Sequence, residues 1–520
     1  MAQININKLS FQYDTHDEDI FKDVSFCIDT DWKLGLIGRN GRGKTTFLKL
    51  LMGEYEYSGK ITSTVNFEYF PIPVKNKNQT ALEVVRESIA PFTIWEKQME
   101  EYINKPSEID RYGEVLDKFI INDGYIINEM IEKEVNKMGL DITILKNNFE
   151  TLSCGEQTKL LLVGLFLRKN HFLLIDEPTN HLDIEGREHV AKYLSSKKGF
   201  IVVSHDRVFL DDIIDHVLSI NRANIEVQKG NFSTWQLNKN RQDEFEKLEN
   251  EKLQKNIKRL RETAKQKSTW SDKVEATKIG GGPCNRGFIG HKAAKMMKRA
   301  KCIEARQNKA IEAKSKLLKN LDIVEKLDFS VEKSNVEEVL EVKNLSINYG
   351  ETNVFNNLSF TIKNGERVWL CGKNGCGKSS VIKLLIGEDI LYNGYIKKTD
   401  KISYISQETS FLKGSIEDFI MEQKINEQNL KSTLYKMGFE ITQLDKNIEN
   451  WSEGQKKKLL IAKSLCENAE LYIWDEPLNF IDVISRMQIE ELILIEKPTM
   501  LFVEHDISFG EKIATKIVTL

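Results

Sequence analysis

The sequence predicts an α/β fold built twice: two tandem phosphate-loop (P-loop) domains joined by an antiparallel α-helical hairpin. Three observations predict it. An apolar strand runs into a glycine-rich loop at Gly38–Thr46, and again at Gly372–Ser380. Each loop is followed, in one order, by a serine-glycine helix start, a strand ending in Asp-Glu-Pro and a strand ending in His-Asp. Between the copies lies a lysine-rich stretch with two runs of helical periodicity. The expected boundaries are 1–235 for the first domain, 236–335 for the linker and 336–520 for the second domain.

Length and composition set the frame. At 520 residues the chain exceeds what one core supports. No apolar run reaches the length of a membrane span, so a membrane-embedded domain is not expected. Met1-Ala2-Gln3-Ile4 lacks the shape of a secretion signal. The seven cysteines are odd in number and scattered, with no C-x-x-C pair, so free thiols in the reducing cytoplasm are expected. The chain stops at Leu520, directly after an expected strand.

In chain order, Ile4-Asn5-Ile6 and Leu9-Ser10-Phe11 read as short strands, with Tyr13 close behind. Leu34-Gly35-Leu36-Ile37 is an apolar strand that enters G-x-x-x-x-G-K-T at Gly38, Asn40, Gly41, Gly43, Lys44, Thr45 and Thr46. Glycines let backbone N–H groups close around phosphate oxygens. Lys44 brings a point charge to the outer phosphates, and the Thr45 hydroxyl is placed for Mg²⁺. The apolar helix that follows, with Phe47, Leu48, Leu50 and Leu51, supplies the required context.

A strand at Val65–Phe70 precedes a charged helical insertion at about 80–140, opened by a capping box of Thr80 and Glu83. Ser153, Gly155 and Glu156 then start a helix. Phe172–Ile175 is an apolar strand delivering Asp176 and Glu177 to the mouth of a parallel sheet, beside the phosphate loop. Asp176 suits Mg²⁺ held through water, and Glu177 suits the base that orients the attacking water. Ile201–Val203 leads to His205. A histidine at a strand end is usually structural; after the acidic strand it reads as a γ-phosphate contact.

The second half repeats the programme. Tyr349 answers Tyr13. Gly372, Asn374, Gly375, Gly377, Lys378, Ser379 and Ser380 answer the first loop. Ser452, Gly454 and Gln455 answer Ser153, Gly155 and Glu156. Asp475 and Glu476 answer the acidic pair, and His505 answers His205. Serine to aspartate is 23 positions in both copies, but loop lysine to serine is 109 in the first and 74 in the second. The first domain thus carries 35 extra residues, assigned to the helical insertion.

In the linker, Leu253, Ile257, Leu260 and Ala264 recur at helical spacing, and Met296, Ile303, Ala310, Leu317 and Val324 every seventh position. Gly280-Gly281-Gly282-Pro283 breaks the helix between them, giving a tip at about 270–291. An arm of about thirty residues reaches roughly 45 Å. Lys255–Lys319 holds 19 Lys/Arg against 5 Asp/Glu, in a chain of net charge −3. Lysine-rich helices are often simply solvated. Here the balancing carboxylates are missing, which favours a polyphosphate partner, nucleic acid. Trp270 and Phe288 either stack on a partner's bases or fasten the tip; both readings stand.

Phosphate loop, serine-glycine signature, D-E-P and H-D, twice and in order, resemble the ATP-binding cassette (ABC) family over nearly the whole chain. Two cassettes around a basic linker, without a membrane domain, look like its F subfamily. Asn40–Lys44, Tyr69-Phe70-Pro71, Gly287-Phe288-Ile289-Gly290 with Lys292-Ala293-Ala294, and Ser452–Lys458 resemble the Vga/Lsa resistance group. The resemblance implies a cytoplasmic ATPase using ATP and Mg²⁺, monomeric, its cassettes closing head to tail around two nucleotides. It implies Glu177, Glu476, His205 and His505 in catalysis, and Thr45, Asp176, Ser379, Gln407 and Asp475 toward magnesium. One site would join Tyr13, Gly38–Thr46, Asp176, Glu177 and His205 to Ser452, Gly454 and Gln455. The other would join Tyr349, Gly372–Ser380, Gln407, Asp475, Glu476 and His505 to Ser153, Gly155 and Glu156.

The implied partner is the ribosome, bound at the E site, with 23S rRNA and P-site tRNA met through the linker. The implied role is displacement of lincosamides, streptogramins A and pleuromutilins. A housekeeping translation factor of the same subfamily is the alternative, and a tandem-cassette transporter ATPase a weaker one, since it needs no basic hairpin. The first cassette departs from the family in lacking a glutamine after Tyr69-Phe70, which Gln407 supplies in the second. Cys371 and Cys376 flank the second loop and read as small residues packed in a tight turn rather than as a redox pair.

Overall fold

The computed structural model describes residues 3–13, 19–74, 76–103, 108–180, 182–221, 225–246, 337–349, 352–373, 375–439 and 441–520, with a few isolated positions between 248 and 329. The helical periodicity, glycine break, charge surplus and tip aromatics expected of the linker lie outside these residues. Residues 1–233 and 324–520 form one compact unit, and 234–323 a second.

The first half contains β1 (Gln3–Phe11), β2 (Phe21–Asp29), β3 (Lys33–Ile37), β4 (Ser58–Thr62), β5 (Asn66–Phe70), β6 (His171–Asp176), β7 (Phe200–Val203), β8 (His216–Ile220) and β9 (Ile225–Lys229). They make an antiparallel sheet, β2-β1-β4, and a six-stranded sheet, β5-β6-β7-β3-β8-β9, parallel except at β9. The second half contains β10 (Glu338–Tyr349), β11 (Thr352–Lys363), β12 (Arg367–Cys371), β13 (Tyr392–Lys398), β14 (Ile402–Ile405), β15 (Leu471–Asp475), β16 (Met500–Val503) and β17 (Lys516–Thr519). It repeats the plan as β11-β10-β13 and β14-β15-β16-β12-β17. Two P-loop cassettes in tandem are thus the architecture.

The inner strands are apolar throughout because both faces are covered. Phe172–Ile175 and Phe200–Val203 are all buried, as are Leu471–Trp474 and Met500–Val503. One core packs Ile4, Ile6 and Leu9 of the small sheet with Phe47 of the loop helix and with Leu34 and Leu174 of the large sheet. Its counterpart packs Val342 and Leu345 on Val368, Ile382 and Ile473. Leu327 and Phe329 belong to a further core cluster of the second cassette, Phe329 meeting the Tyr472 ring at 5.0 Å.

The two short strands expected at Ile4–Ile6 and Leu9–Phe11 are one strand of nine residues. Its register shifts between Ile6 and Leu9, where Lys8 takes φ 47°. The same bulge recurs at Asn344, φ 48°. Each is tied from its backbone N–H to a serine, Ser25 or Ser359, at 2.8 Å. A bulge breaks the alternation of side chains without ending the strand, which is why the sequence pattern reads as two pieces.

The region before the first signature holds helices Ala81–Ile89, Phe92–Ile103, Ile109–Ile121 and Ile127–Lys137. The second cassette has Ile416–Gln423, Glu427–Lys436 and a single turn, Ile441–Leu444, in their place. Thr80 and Glu83 form the capping box their spacing predicts.

Candidate nucleotide sites

Each phosphate loop joins a central parallel strand to a helix. Gly43 and Gly377 are the N-caps of helices Lys44–Met52 and Lys378–Ile386, at φ 86° and 101°. A side chain there would adopt a disfavoured backbone and would also clash. Its Cβ would stand 2.7 Å from Ile20 in the first loop and 2.6 Å from Val354 in the second. The lysine amines lie inside the loops. Lys44 Nζ donates to Gly38 O at 2.7 Å and to Asn40 Oδ1 at 3.1 Å. Lys378 Nζ donates to the carbonyls of Gly372 and Lys373 at 2.8 and 2.9 Å. Burial holds the Lys44 amine below its ordinary value.

Both signatures begin helices with their serine as N-cap. Ser153 accepts from the Glu156 N–H, and Glu156 Oε2 accepts from the Ser153 N–H at 2.9 Å. Ser452 and Gln455 make the same reciprocal pair. Glu156 and Gln455 therefore shape the helix start, whose positive end suits an anion.

Asp176 and Asp475 end the acidic strands. The Thr45 hydroxyl donates to Asp176 Oδ2 at 3.1 Å. The following glutamates both take left-handed backbone, φ 51° at Glu177 and 47° at Glu476, followed in each case by proline. Strain of this kind costs about 1–3 kcal/mol and persists where the surroundings impose it. It turns each carboxylate toward the strand-end histidine: His205 Nε2 is 3.1 Å from Glu177 Oε1, and His505 Nε2 is 3.2 Å from Glu476 Oε1.

The two acids differ in their surroundings. Burial, reinforced by Asp176, pushes Glu177 up to about 8. Burial acts on Glu476 in the same sense, but His505, Asn479 and Lys457 outweigh it and hold that carboxyl below its ordinary value. Glu476 Oε2 accepts from Gln407 Nε2 at 2.9 Å and from Asn479 Nδ2 at 2.7 Å. In the first cassette the position matching Gln407 is Ile72: each lies two residues beyond the residue paired with Ile175 or with Trp474. Asp475 is raised to about 6, by burial and then by Glu476, and the His205 ring is driven well down by burial.

Residues from opposite cassettes come together. A cavity of about 750 Å³ is lined on one side by Ser153, Gly155 and Glu156. Facing them are Gly375, Gly377, Lys378, Ser379 and Ser380, with Gln407, Glu476 and His505. At the other pairing the contact is direct. Asn40 Nδ2 donates to Phe480 O at 2.8 Å, and the Asn40 N–H to Asp482 Oδ2 at 3.3 Å. A Cβ on Gly454 would meet Asn40 Nδ2 at 2.8 Å and Phe480 O at 2.5 Å.

Of the other expected site residues, Tyr13 lies beside the first loop. Its hydroxyl pairs with Thr46 Oγ1 at 2.9 Å, and its ring packs edge-on against Phe11 and Tyr55. Gly38 and Gly41 flank Asn40 in the loop, Gly41 at φ 84°. Tyr349 closes β10, and Asn374 lies outside the described residues.

More than half the chain, residues 21–180 and 355–479, matches the family model described as ABC transporter. The chain belongs to the ABC transporter family. Its two cassettes bind and hydrolyse ATP. The energy-dependent translational throttle protein EttA of Haemophilus influenzae is 26% identical over 96% of this chain and 88% of its own length. The ribosome protection protein VmlR of Bacillus subtilis is 25% identical over 96% of this chain and 84% of its own. Among solved structures, the archaeal ribosome recycling factor aABCE1, in complex with stalk protein aP1, matches with TM-score 0.60 and 18% identity. It covers 98% of this chain and 87% of that one. Among the described residues no helix is long and apolar enough to cross a membrane.

Sequence reasoning missed several groups in this ABC protein. Asn479 on Glu476 has a signal, since Asn180 stands at the same place after the first acidic pair. Buried Lys458, paired with Asp482 Oδ2 at 2.8 Å, has one too in the signature run Lys456-Lys457-Lys458. Arg207 paired with Glu490 across the cassettes has none, because 283 positions separate them.

Proposed function

We propose that this chain is a ribosome-associated ABC ATPase whose cassettes, 1–235 and 336–520, share two composite ATP sites and work a basic linker, 236–335. The observation that carries the composite-site reading is the cavity between the Ser153–Glu156 signature and the Lys378–Ser380 loop. A helix start opposite a loop lysine suits a nucleotide's outer phosphates. Glu476, oriented by Gln407, Asn479 and His505, is the base for the attacking water there. Glu177 with His205 takes that role at the other site.

Among the described residues no group of three His, Cys, Asp or Glu forms a self-sufficient metal site. A hydroxyl and one carboxylate per cassette, Thr45 with Asp176 and Ser379 with Asp475, fit a hard cation shared with phosphate oxygens, as Mg²⁺ would be. Bound there, Mg²⁺ would offset phosphate charge.

Closure around ATP ranks the two states: ATP binds the closed form better, and hydrolysis removes that preference. The names of the relatives, a translational throttle and a ribosome protection protein, support the ribosome as partner. The 19 basic residues against 5 acidic ones in Lys255–Lys319 of the linker support contact with 23S rRNA and P-site tRNA. Protection against lincosamides, streptogramins A and pleuromutilins is the specific role proposed. The throttle relative favours a general translation factor as the second reading.

The test is the double variant Glu177→Gln/Glu476→Gln. It should co-sediment with ribosomes more strongly than the parent in ATP, and cells carrying it should lose drug tolerance that the parent confers. Unchanged sedimentation sinks the composite-site account. Retained sedimentation with no drug phenotype for the parent selects the translation-factor reading.

A further inference from the structure

We propose that Tyr69 is a positioning residue for metal at the first nucleotide site, serving where the second site uses a different arrangement. This rests on the composite-site reading above. The Tyr69 hydroxyl donates to Asp176 Oδ2 at 2.9 Å, the same oxygen that accepts from Thr45 Oγ1 at 3.1 Å. Tyr69 and Thr45 come from different elements, β5 and the loop helix, so the carboxylate is gripped from two sides. Two donors on one oxygen fix the rotation of the carboxyl group and favour its charged form.

The second cassette has a tyrosine in the same register and uses it otherwise. Tyr69 pairs with Leu174, two residues before Asp176; Tyr404 pairs with Ile473, two residues before Asp475. Among the described residues the Tyr404 hydroxyl makes no hydrogen bond to Asp475; the neighbour that acts on it is Ser406. Asp475 Oδ1 is buried without a hydrogen-bond partner. The sequence difference that separates them is local. Ser406 offers a hydroxyl two residues after Tyr404, whereas Pro71, at the equivalent place, offers neither a hydroxyl nor an N–H. With no glutamine at 72 and no competing partner at 71, the phenol turns to the aspartate. Tyr69 thus does not copy Gln407, which holds Glu476. It secures the metal-facing carboxylate directly.

The test uses the full chain with Lys378→Ala, which disables the second loop, and reads binding of a fluorescent ATP analogue against Mg²⁺ concentration. Tyr69→Phe keeps the half-buried ring and removes only the hydroxyl. It should raise the half-saturating Mg²⁺ by about tenfold, with metal-free nucleotide binding unchanged. Tyr404→Phe in the same background should match its parent. Replacing Mg²⁺ by Mn²⁺ and reading its paramagnetic resonance gives a measure independent of turnover, and should show the same loss. Equal metal dependence in Tyr69→Phe and Tyr404→Phe overturns the assignment to Tyr69. Absence of any Mg²⁺-dependent nucleotide binding in the Lys378→Ala parent overturns the composite-site reading, and the inference with it.

Discussion

The two cassettes share strand order, loop, signature and acids, yet their joints are built differently. Where the first loop meets the second signature, the contact is polar and closely packed. Asn40 bonds Phe480 and Asp482, Arg39 donates to Gln488 at 3.2 Å, and Arg207 pairs with Glu490. Arg207 and Glu490 are 6% and 7% exposed, so that charge pair is sealed from water. Where the second loop meets the first signature, Lys373 pairs with Glu185 at 2.9 Å, side chains 79% and 60% exposed, and the part-buried Arg187 guanidinium donates to His505 O at 3.2 Å. The equivalents of Arg207 and Glu490 there are Ile507 and Ala191. A repeat in sequence therefore does not give a symmetric pair of joints. The joints differ in burial: the Arg207–Glu490 pair is sealed from water and the Lys373–Glu185 pair is open to it.

Arg207→Ala breaks the comparison hardest. It leaves Glu490 buried with only Lys512, 2.9 Å away, and should cost about 3 kcal/mol, the low end for an orphaned buried charge. Thermal unfolding checks it, and Arg207→Met with Glu490→Met should recover most of the loss. Gly454→Ala comes next. Its methyl has no room beside Asn40 and Phe480, so the tight joint should weaken by about 1–3 kcal/mol. ATP-dependent ribosome sedimentation and thermal unfolding both read this.

The acids give a smaller, sharper contrast. Glu177, raised to about 8, is mostly protonated at pH 7 and so less available as a base there. With Glu476→Gln, turnover should therefore rise about fivefold from pH 7 to 8. With Glu177→Gln, where Glu476 sits below its ordinary value, it should stay flat over that range. Stability runs the opposite way with pH. Glu177 takes up a proton on folding, so its contribution is present below its unfolded value and lost as pH rises through about 8. The least effect belongs to Lys373→Ala, whose exposed partner is screened by water. The melting temperature and ATPase rate should not change measurably.

Much of both sites could be read from the chain, for a physical reason. Phosphate loops, capping serines and strand-end acids depend on neighbours within four residues, and such local rules survive in sequence. The capping boxes at Thr80 and Ser452 are of that kind. The bulge at Lys8 reads as a break between two strands because it interrupts alternation while the hydrogen-bonded ladder continues.

The sequence by itself determined that this protein has two P-loop cassettes, where their acids stand, and that the first lacks the glutamine of the second. Only the tertiary structure decided that Tyr69 turns to Asp176 while Tyr404 makes no such bond to Asp475, and that Arg207 finds Glu490 from 283 positions away. Those outcomes depend on which groups remain unpartnered once strands are in register and two surfaces close. The energy that selects them comes from excluding water, and spacing along a chain does not record where water is excluded.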